Sequence, residues 1–363
     1  MRCRILPRSA TRASRLAVLA LVAAVLMLPG CESFLGKQVV RAPNHGKPLA
    51  KLKPADELTL PGTVIDHRLR VEVAEPPASL AVWVIDPAGE TIEVRDGGED
   101  EKVVFEFERP EPRQTWPPRG TVFLLHGYYD DMNQRRYQVW ARLLAAEGYR
   151  AVLIDQRGHG ESTGDWSTFG VAESGDMIAV ADALAERGLL VEPVGVMAVS
   201  MGASTAVRWA EADERVRAMV LLSTYANMRD VVRDFGRAIG FDSFSLEKFN
   251  RITDHAGAHG GFDPDEADSL VRMPSLDAPT LIVHGETDRL IPIHHALRLY
   301  HAGDPDTVEL IRVRNAGHTS LGNWVVEPIH EPAVAWFERH LFPNESESTV
   351  RSLDAAAEHP GGG

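Results

Sequence analysis

Cysteine is almost missing from this chain: among 363 residues there are only Cys3 and Cys31. Two thiols near one end cannot staple a small secreted scaffold or supply a zinc ribbon. Basic residues are also short, 38 Lys and Arg against 52 Asp and Glu, for a formal net charge of −14. That balance argues against a nucleic-acid partner, because phosphate recognition draws on basic side chains. A long apolar run is lacking too: the longest, Leu16–Leu28, has 13 residues where a comfortable membrane span needs about 20. No internal repeat is visible. What remains is an ordinary globular mixture, 44% hydrophobic and 25% charged, long enough for one large domain or two modest ones.

The N-terminus reads as an address. Residues 1–30 hold five arginines and no acid, with Arg2 to Arg15 preceding the apolar run. A basic start, a short apolar core and small residues at its end match a secretory signal. The stretch closes on Leu28-Pro29-Gly30-Cys31, which resembles the lipobox of bacterial lipoproteins. The resemblance implies cleavage before Cys31, lipidation of its thiol (with palmitate among the chains) and attachment to a membrane of the bacterial envelope. Removing the five leader arginines takes the net charge from −14 to −19. Residues 31–58, carrying Pro43, Pro48 and Pro54 and no sustained period, are expected to be a tether. Residues 344–363, poor in apolar side chains, are expected to be disordered.

Between them, 59–343 reads as one domain of strands alternating with helices. Continuous apolar strands are predicted at 80–87, 119–127, 150–155, 194–199, 218–223, 279–285 and 308–313. Helices are predicted over 132–147, 171–187 and 327–341, the first two ended by Gly148 and Gly188. This alternation implies an α/β fold, a mostly parallel sheet with helices on both faces. Residues 226–277 are too long for a simple crossover and hold Phe235, Phe241, Phe244, Phe249 and Phe262. They are expected to form a helical lid above the carboxyl ends of the strands.

Ala198-Val199-Ser200-Met201-Gly202 follows one buried strand and opens a helix. That is the setting of a nucleophile elbow, where small residues two before and two after the serine let strand and helix approach. A nucleophilic serine needs a base and a carboxylate to orient it. Strand 279–285 is followed by Glu286 and Asp288, and strand 308–313 by His318, giving the chain order Ser, Asp, His.

On these motifs the chain resembles the α/β-hydrolase family from about residue 60 to 342. LLHGYYDD (124–131) is similar to the turn that supplies half an oxyanion hole, and DQRGHGES (155–162) to the family's D-x-RG-x-G-x-S turn. HGETDRLIP (284–292) and NAGHTSL (315–321) resemble the segments bearing the acid and the histidine. The resemblance implies Ser200 as nucleophile, His318 as general base and Asp288 as its orienting partner, Asp288 being preferred to Glu286. It also implies an oxyanion hole from the backbone N–H groups of Tyr128 and Met201. A serine nucleophile sets the chain apart from the dehalogenase and epoxide hydrolase branches, which attack with aspartate.

The expected reaction is acyl transfer from an ester to water without a cofactor, as in esterases and monoacylglycerol-type lipases. The serine aminopeptidase branch more often has tryptophan after the serine, so a peptidase is the alternative; thioesterase and acyltransferase chemistry would use the same triad. A non-catalytic envelope binding protein on this fold is the reading of another class. The expected partners are a small ester or acyl substrate and the membrane holding the anchor.

Other candidates have plainer expected roles. His126, His284 and His159 read as structural, and Arg157 as a brace for the turn it sits in. His255 and His259 lie four apart near Asp263 and Asp265, but Gly257, Gly260 and Gly261 argue against a clean helix there, and hence against a metal pair. His294, His295 and His301 are expected on a solvent-facing helix. The phenylalanines of 226–277 read first as that segment's own small core.

Overall fold

The computed structural model describes residues 31–52, 60–95, 104–108, 110–318 and 329–343. The signal at 1–30, residues 53–58 of the tether, Thr319 to Leu321 and the tail at 344–363 lie outside the described residues.

Ten strands are described. β5 (Thr121–Leu125), β6 (Arg150–Ile154) and β9 (Thr280–Gly285) are buried along their whole length. Such strands need cover on both faces, and a parallel arrangement provides it. With β1 (His67–Val73), β2 (Ala78–Ile85), β7 (Val194–Val199), β8 (Val216–Leu222) and β10 (Val308–Val313) they form one sheet, ordered β1-β2-β6-β5-β7-β8-β9-β10. Pairing is parallel from β6 to β10, and antiparallel at β1–β2 and β2–β6. A separate hairpin joins β3 (Thr91–Arg95) to β4 (Val104–Glu108).

Alternation along each strand feeds two cores. Val122 and Leu124 of β5 face one way, with helices α2 (Arg135–Ala146) and α8 (His330–Leu341). Phe123 and Leu125 face the other, with α3 (Val171–Glu186), α4 (Met201–Ala212) and α7 (His294–Ala302). Gly148 and Gly188, at φ 89° and 67°, stop α2 and α3 in the left-handed conformation that favours glycine.

A third apolar cluster sits beyond the strand ends. It combines α5 (Met228–Ala238) and α6 (Leu246–Gly260) with the N-terminal helix α1 (Cys31–Val40). The long interval 226–277 is therefore built of two helices and two 3₁₀ turns. Asn227 and Ser245 start the helices, each accepting a hydrogen bond from the third backbone N–H beyond it, Asp230 and Lys248.

Two expectations are corrected here. The stretch from residue 31 is no free tether: its first ten residues are α1, packed on α6, and 41–47 are bonded to the domain. Likewise Leu246–Gly260 is one continuous helix, so Gly257 and Gly260 do not interrupt it. They serve packing instead, since a Cβ at Gly257 would lie 2.5 Å from Pro264 and one at Gly260 2.6 Å from Phe262. Among the described residues no helix is long and apolar enough to cross a membrane.

Candidate active site

The chemistry-bearing side chains follow the carboxyl ends of β5, β7, β9 and β10, where open α/β sheets bind ligands. Ser200 occupies the single position between β7 and α4, with φ 52° and ψ −112°. A non-glycine residue there costs on the order of 1–3 kcal/mol unless its surroundings fix it. Ser200 N donates to Leu222 O at 2.9 Å, and Ser200 O accepts from Ala203 N at 3.0 Å. The small residue two beyond is obligatory, because a Cβ at Gly202 would meet the Leu125 and His126 carbonyl oxygens at 2.7 Å. Ala198, two before, is fully buried.

Asp288 and His318 come from neighbouring loops held in contact. A Cβ at Gly285 would fall 2.2 Å from Ala316 O, so only glycine lets the loops after β9 and β10 touch. Thr287 donates to that same oxygen through its N–H at 3.1 Å and its hydroxyl at 2.9 Å. Asp288 Oδ1 accepts from Leu290 N and Ile291 N, both at 2.9 Å. Oδ2 faces His318 Nδ1 at 2.8 Å. Of the two acids considered, Asp288 is thus the one that meets His318, while Glu286 pairs with Arg312 at 2.9 Å. Burial lowers the pKa of His284, and its Nε2 lies 2.8 Å from Ile291 O.

The turn after β5 is braced from below. His126, driven down to about 3 by burial, donates from Nδ1 to Gly127 O at 2.8 Å and accepts at Nε2 from Gln156 N at 2.9 Å. The Tyr137 hydroxyl accepts from Gly127 N at 3.2 Å and donates to Asp130 at 3.0 Å, and Asp130 pairs with Arg136. Tyr128 therefore follows a backbone pinned on both sides, and its own hydroxyl donates to Arg41 O at 2.8 Å. Met201 contributes the first N–H of α4, one of the groups with no partner inside a helix. Both Tyr128 and Met201 line the cavity beside Ser200.

The D-x-RG-x-G-x-S turn is scaffolding. Asp155 accepts from Met132 N and Glu161 N, both at 2.7 Å, and burial pushes its carboxyl up to about 7. Arg157 grips Asp176 of α3 through two bonds of 2.7 and 2.5 Å. His159 is buried, with Nδ1 on Arg157 O at 2.9 Å and its pKa lowered by burial.

Ser200 and His318 share one cavity of about 440 Å³, in the size range of small-molecule sites. Its walls are largely apolar: Phe169 and Tyr225 below, Leu290 and Ile291 beside His318, and Val231, Phe235, Phe241, Phe244, Phe249 and Ile252 from α5, α6 and their connection. Phe241, Phe244 and Phe249 thus serve as both helical core and cavity wall. Leu35, Gln38 and Val39 of α1 complete it. Sequence reasoning missed this wall; the only signal was the i, i+4 pair Leu35–Val39, too short to carry a period.

Of the histidines on α7, His294 and His301 are exposed as expected and His295 is not. His295 is fully buried rather than solvent-facing, because α7 turns it beneath α5. His294 and His295 place Nε2 at 3.0 and 3.2 Å from the same Asp234 oxygen. Although the three could be ligands by spacing, His295 Nδ1 accepts from Ala226 N at 3.2 Å. Its proton is then on Nε2, so that nitrogen has no lone pair to offer a metal. His259, on α6, meets Ser33 of α1 at 3.1 Å.

The family model for serine aminopeptidase, S33, matches residues 116–260. Lysophosphatidylserine lipase ABHD12 of Rattus norvegicus is 28% identical over 174 residues, 45% of this chain and 40% of that one. The chain therefore spans well under half of that relative's length. Monoacylglycerol lipase of Mycolicibacterium smegmatis is 26% identical over 258 residues, 62% of this chain and 90% of that one. Among solved structures, the Pyrococcus furiosus esterase Pf2001 superposes with a TM-score of 0.56 at 20% identity, covering 76% of this chain and 92% of that one. With the topology above, these likenesses establish an α/β-hydrolase fold.

Proposed function

We propose that this chain is a serine hydrolase that cleaves carboxylic esters bearing an apolar acyl group. The observation that carries the reading is the His318–Asp288 pair, 2.8 Å apart, beside the same apolar cavity as a strained Ser200. Ser200 Oγ bonds the acyl carbon as its proton passes to His318 Nε2. Asp288 holds the imidazole with Nδ1–H toward itself and stabilises the cation that forms. The oxyanion rests on the N–H groups of Tyr128 and Met201, donors each worth about 10²–10³ in turnover. Collapse breaks the ester C–O bond, and the alcohol leaves with the His318 proton. Water then attacks the acyl-enzyme, giving its proton to His318, and the carboxylic acid departs as Ser200 regains its own.

An ester with an apolar acyl group is favoured by the cavity walls and by the lipases among the relatives. Peptide-bond cleavage is the second reading, favoured by the description of the matched family. A fluorophosphonate probe should label the wild type and leave Ser200→Ala unlabelled. No labelling, or equal labelling of both, sinks the reading and leaves a binding role on a hydrolase fold. Faster turnover of aminoacyl anilides than of p-nitrophenyl esters would instead favour the peptidase.

The same proposal places the protein at a membrane through lipid on Cys31, the residue that opens α1. Cys31→Ser should move it to the soluble fraction; continued sedimentation with membranes would refute the anchor.

A further inference from the structure

We infer that helix α1 is a working wall of the substrate site and sets the length of acyl chain the cavity takes. This deepens the hydrolase reading and rests on it. The helix is fitted to the cavity by sequence. Gly36 crosses α6 at backbone contact: a Cβ there would lie 2.7 Å from Ala256 N, from Ile252 O and from His255 Cβ. No other residue allows that approach, which brings Leu35 and Val39, on either side of Gly36, to the cavity. Polar contacts then fix the rotation of α1 against α6. Glu32 pairs with Arg251 at 2.9 Å, and Ser33 meets His259 at 3.1 Å.

The residues after α1 bind it to the machinery rather than to the surface. Val40 O accepts from Ser167 N at 2.8 Å, and Ala42 N donates to Asp165 O at 3.2 Å. Asn44, buried, gives both Nδ2 protons to carbonyls of the turn after β6, Gly160 O and Ser162 O, each at 2.9 Å. Arg41 O receives the Tyr128 hydroxyl at 2.8 Å. One short segment therefore walls the acyl cavity and holds the side chain of the residue whose N–H is assigned to the oxyanion. It acts as a positioning and specificity element, for which a mere tether would need neither Gly36 nor these bonds.

The test reads chain length. In p-nitrophenyl esters from acetate to hexadecanoate, Val39→Trp, which fills the cavity from the α1 side, should lower the dodecanoate-to-acetate ratio of kcat/KM at least tenfold. Gly36→Leu, which forces α1 off α6, should change the same ratio by a similar factor through a different cause. Ratios within twofold of wild type in both variants, at retained thermal stability, would overturn the inference. Binding of dansyl-undecanoate to Ser200→Ala, with and without Val39→Trp, gives a readout independent of turnover. Tenfold weaker binding in the double variant supports the wall, and an equal dissociation constant refutes it. If the wild type cleaves no ester yet this binding difference appears, the hydrolase reading fails while the wall stands.

Discussion

At Asp288 the two carboxylate oxygens do different work. Oδ1 is saturated by two backbone N–H groups, which orients the side chain, and Oδ2 is left for His318. Asp288→Asn separates the two duties. With its oxygen kept toward Leu290 N and Ile291 N, the new amide turns an N–H toward His318 Nδ1. That nitrogen must then accept, so the proton moves to Nε2, the atom the base needs bare. The expected result is a fall in kcat of roughly 10⁴-fold with little change in melting temperature, by stopped-flow ester hydrolysis and calorimetry. Unchanged turnover would mean that Asp288 does not orient His318. These residues were legible because each sits in a motif whose small neighbours are demanded locally, Gly202 against two carbonyls and Gly285 against Ala316. His295 was not, since its burial comes from where α7 lies beneath α5, and nothing adjacent in sequence records that.

The elements that face the core on both sides were the easiest to read, because a strand covered twice is apolar throughout, as in TVFLL of β5. β1 and the β3–β4 hairpin are harder to delimit from sequence. HRLRVEV at the sheet edge buries only Val71 fully, so its polar side chains mask the strand. Helix α1 reads as linker for a related reason: ten residues stand only by packing, and the packing rests on Gly36. Contacts between elements are where the large energies lie. Arg157 and Asp176 join the turn after β6 to α3, and both are buried, with Asp176 raised to about 6 chiefly by its desolvation. Breaking such a pair leaves one charge without its partner, which typically costs about 3–5 kcal/mol. Arg157→Ala should therefore lower stability by about that amount in urea titration, whereas Arg157→Met with Asp176→Leu together should recover most of it. A loss under about 1 kcal/mol in the single variant would show that water reaches Asp176.

For the whole molecule, buried titratable groups make stability depend on pH with a predictable sign. Burial holds His126 at about 3 and, as the largest cause, His295 at about 4; it also lowers His159 and His284. The unfolded chain protonates all four near pH 6.5 and the folded chain only at lower pH, so their contribution is complete above about pH 6.5 and is lost on acidification. Asp155, raised to about 7, and Asp176, raised to about 6, work the other way. Between their folded values and about 3.9 they hold protons that the unfolded chain has released, which favours the folded state as pH falls. Near pH 5.5 His126 and His295 roughly offset Asp155 and Asp176, and the lowered His159 and His284 tip the balance toward proton uptake on unfolding. Stability should then fall as the pH drops from 6 to 5, each unmatched proton contributing about 1.4 kcal/mol per unit. Asp155→Asn removes one opposing proton, so its stability curve should steepen by about 1.4 kcal/mol per unit while His126→Gln flattens by as much. Denaturant titrations at half-unit intervals measure both slopes directly. A wild-type slope of zero or of opposite sign would show that the histidines gain protons without unfolding, and that the turn after β5 is open to water.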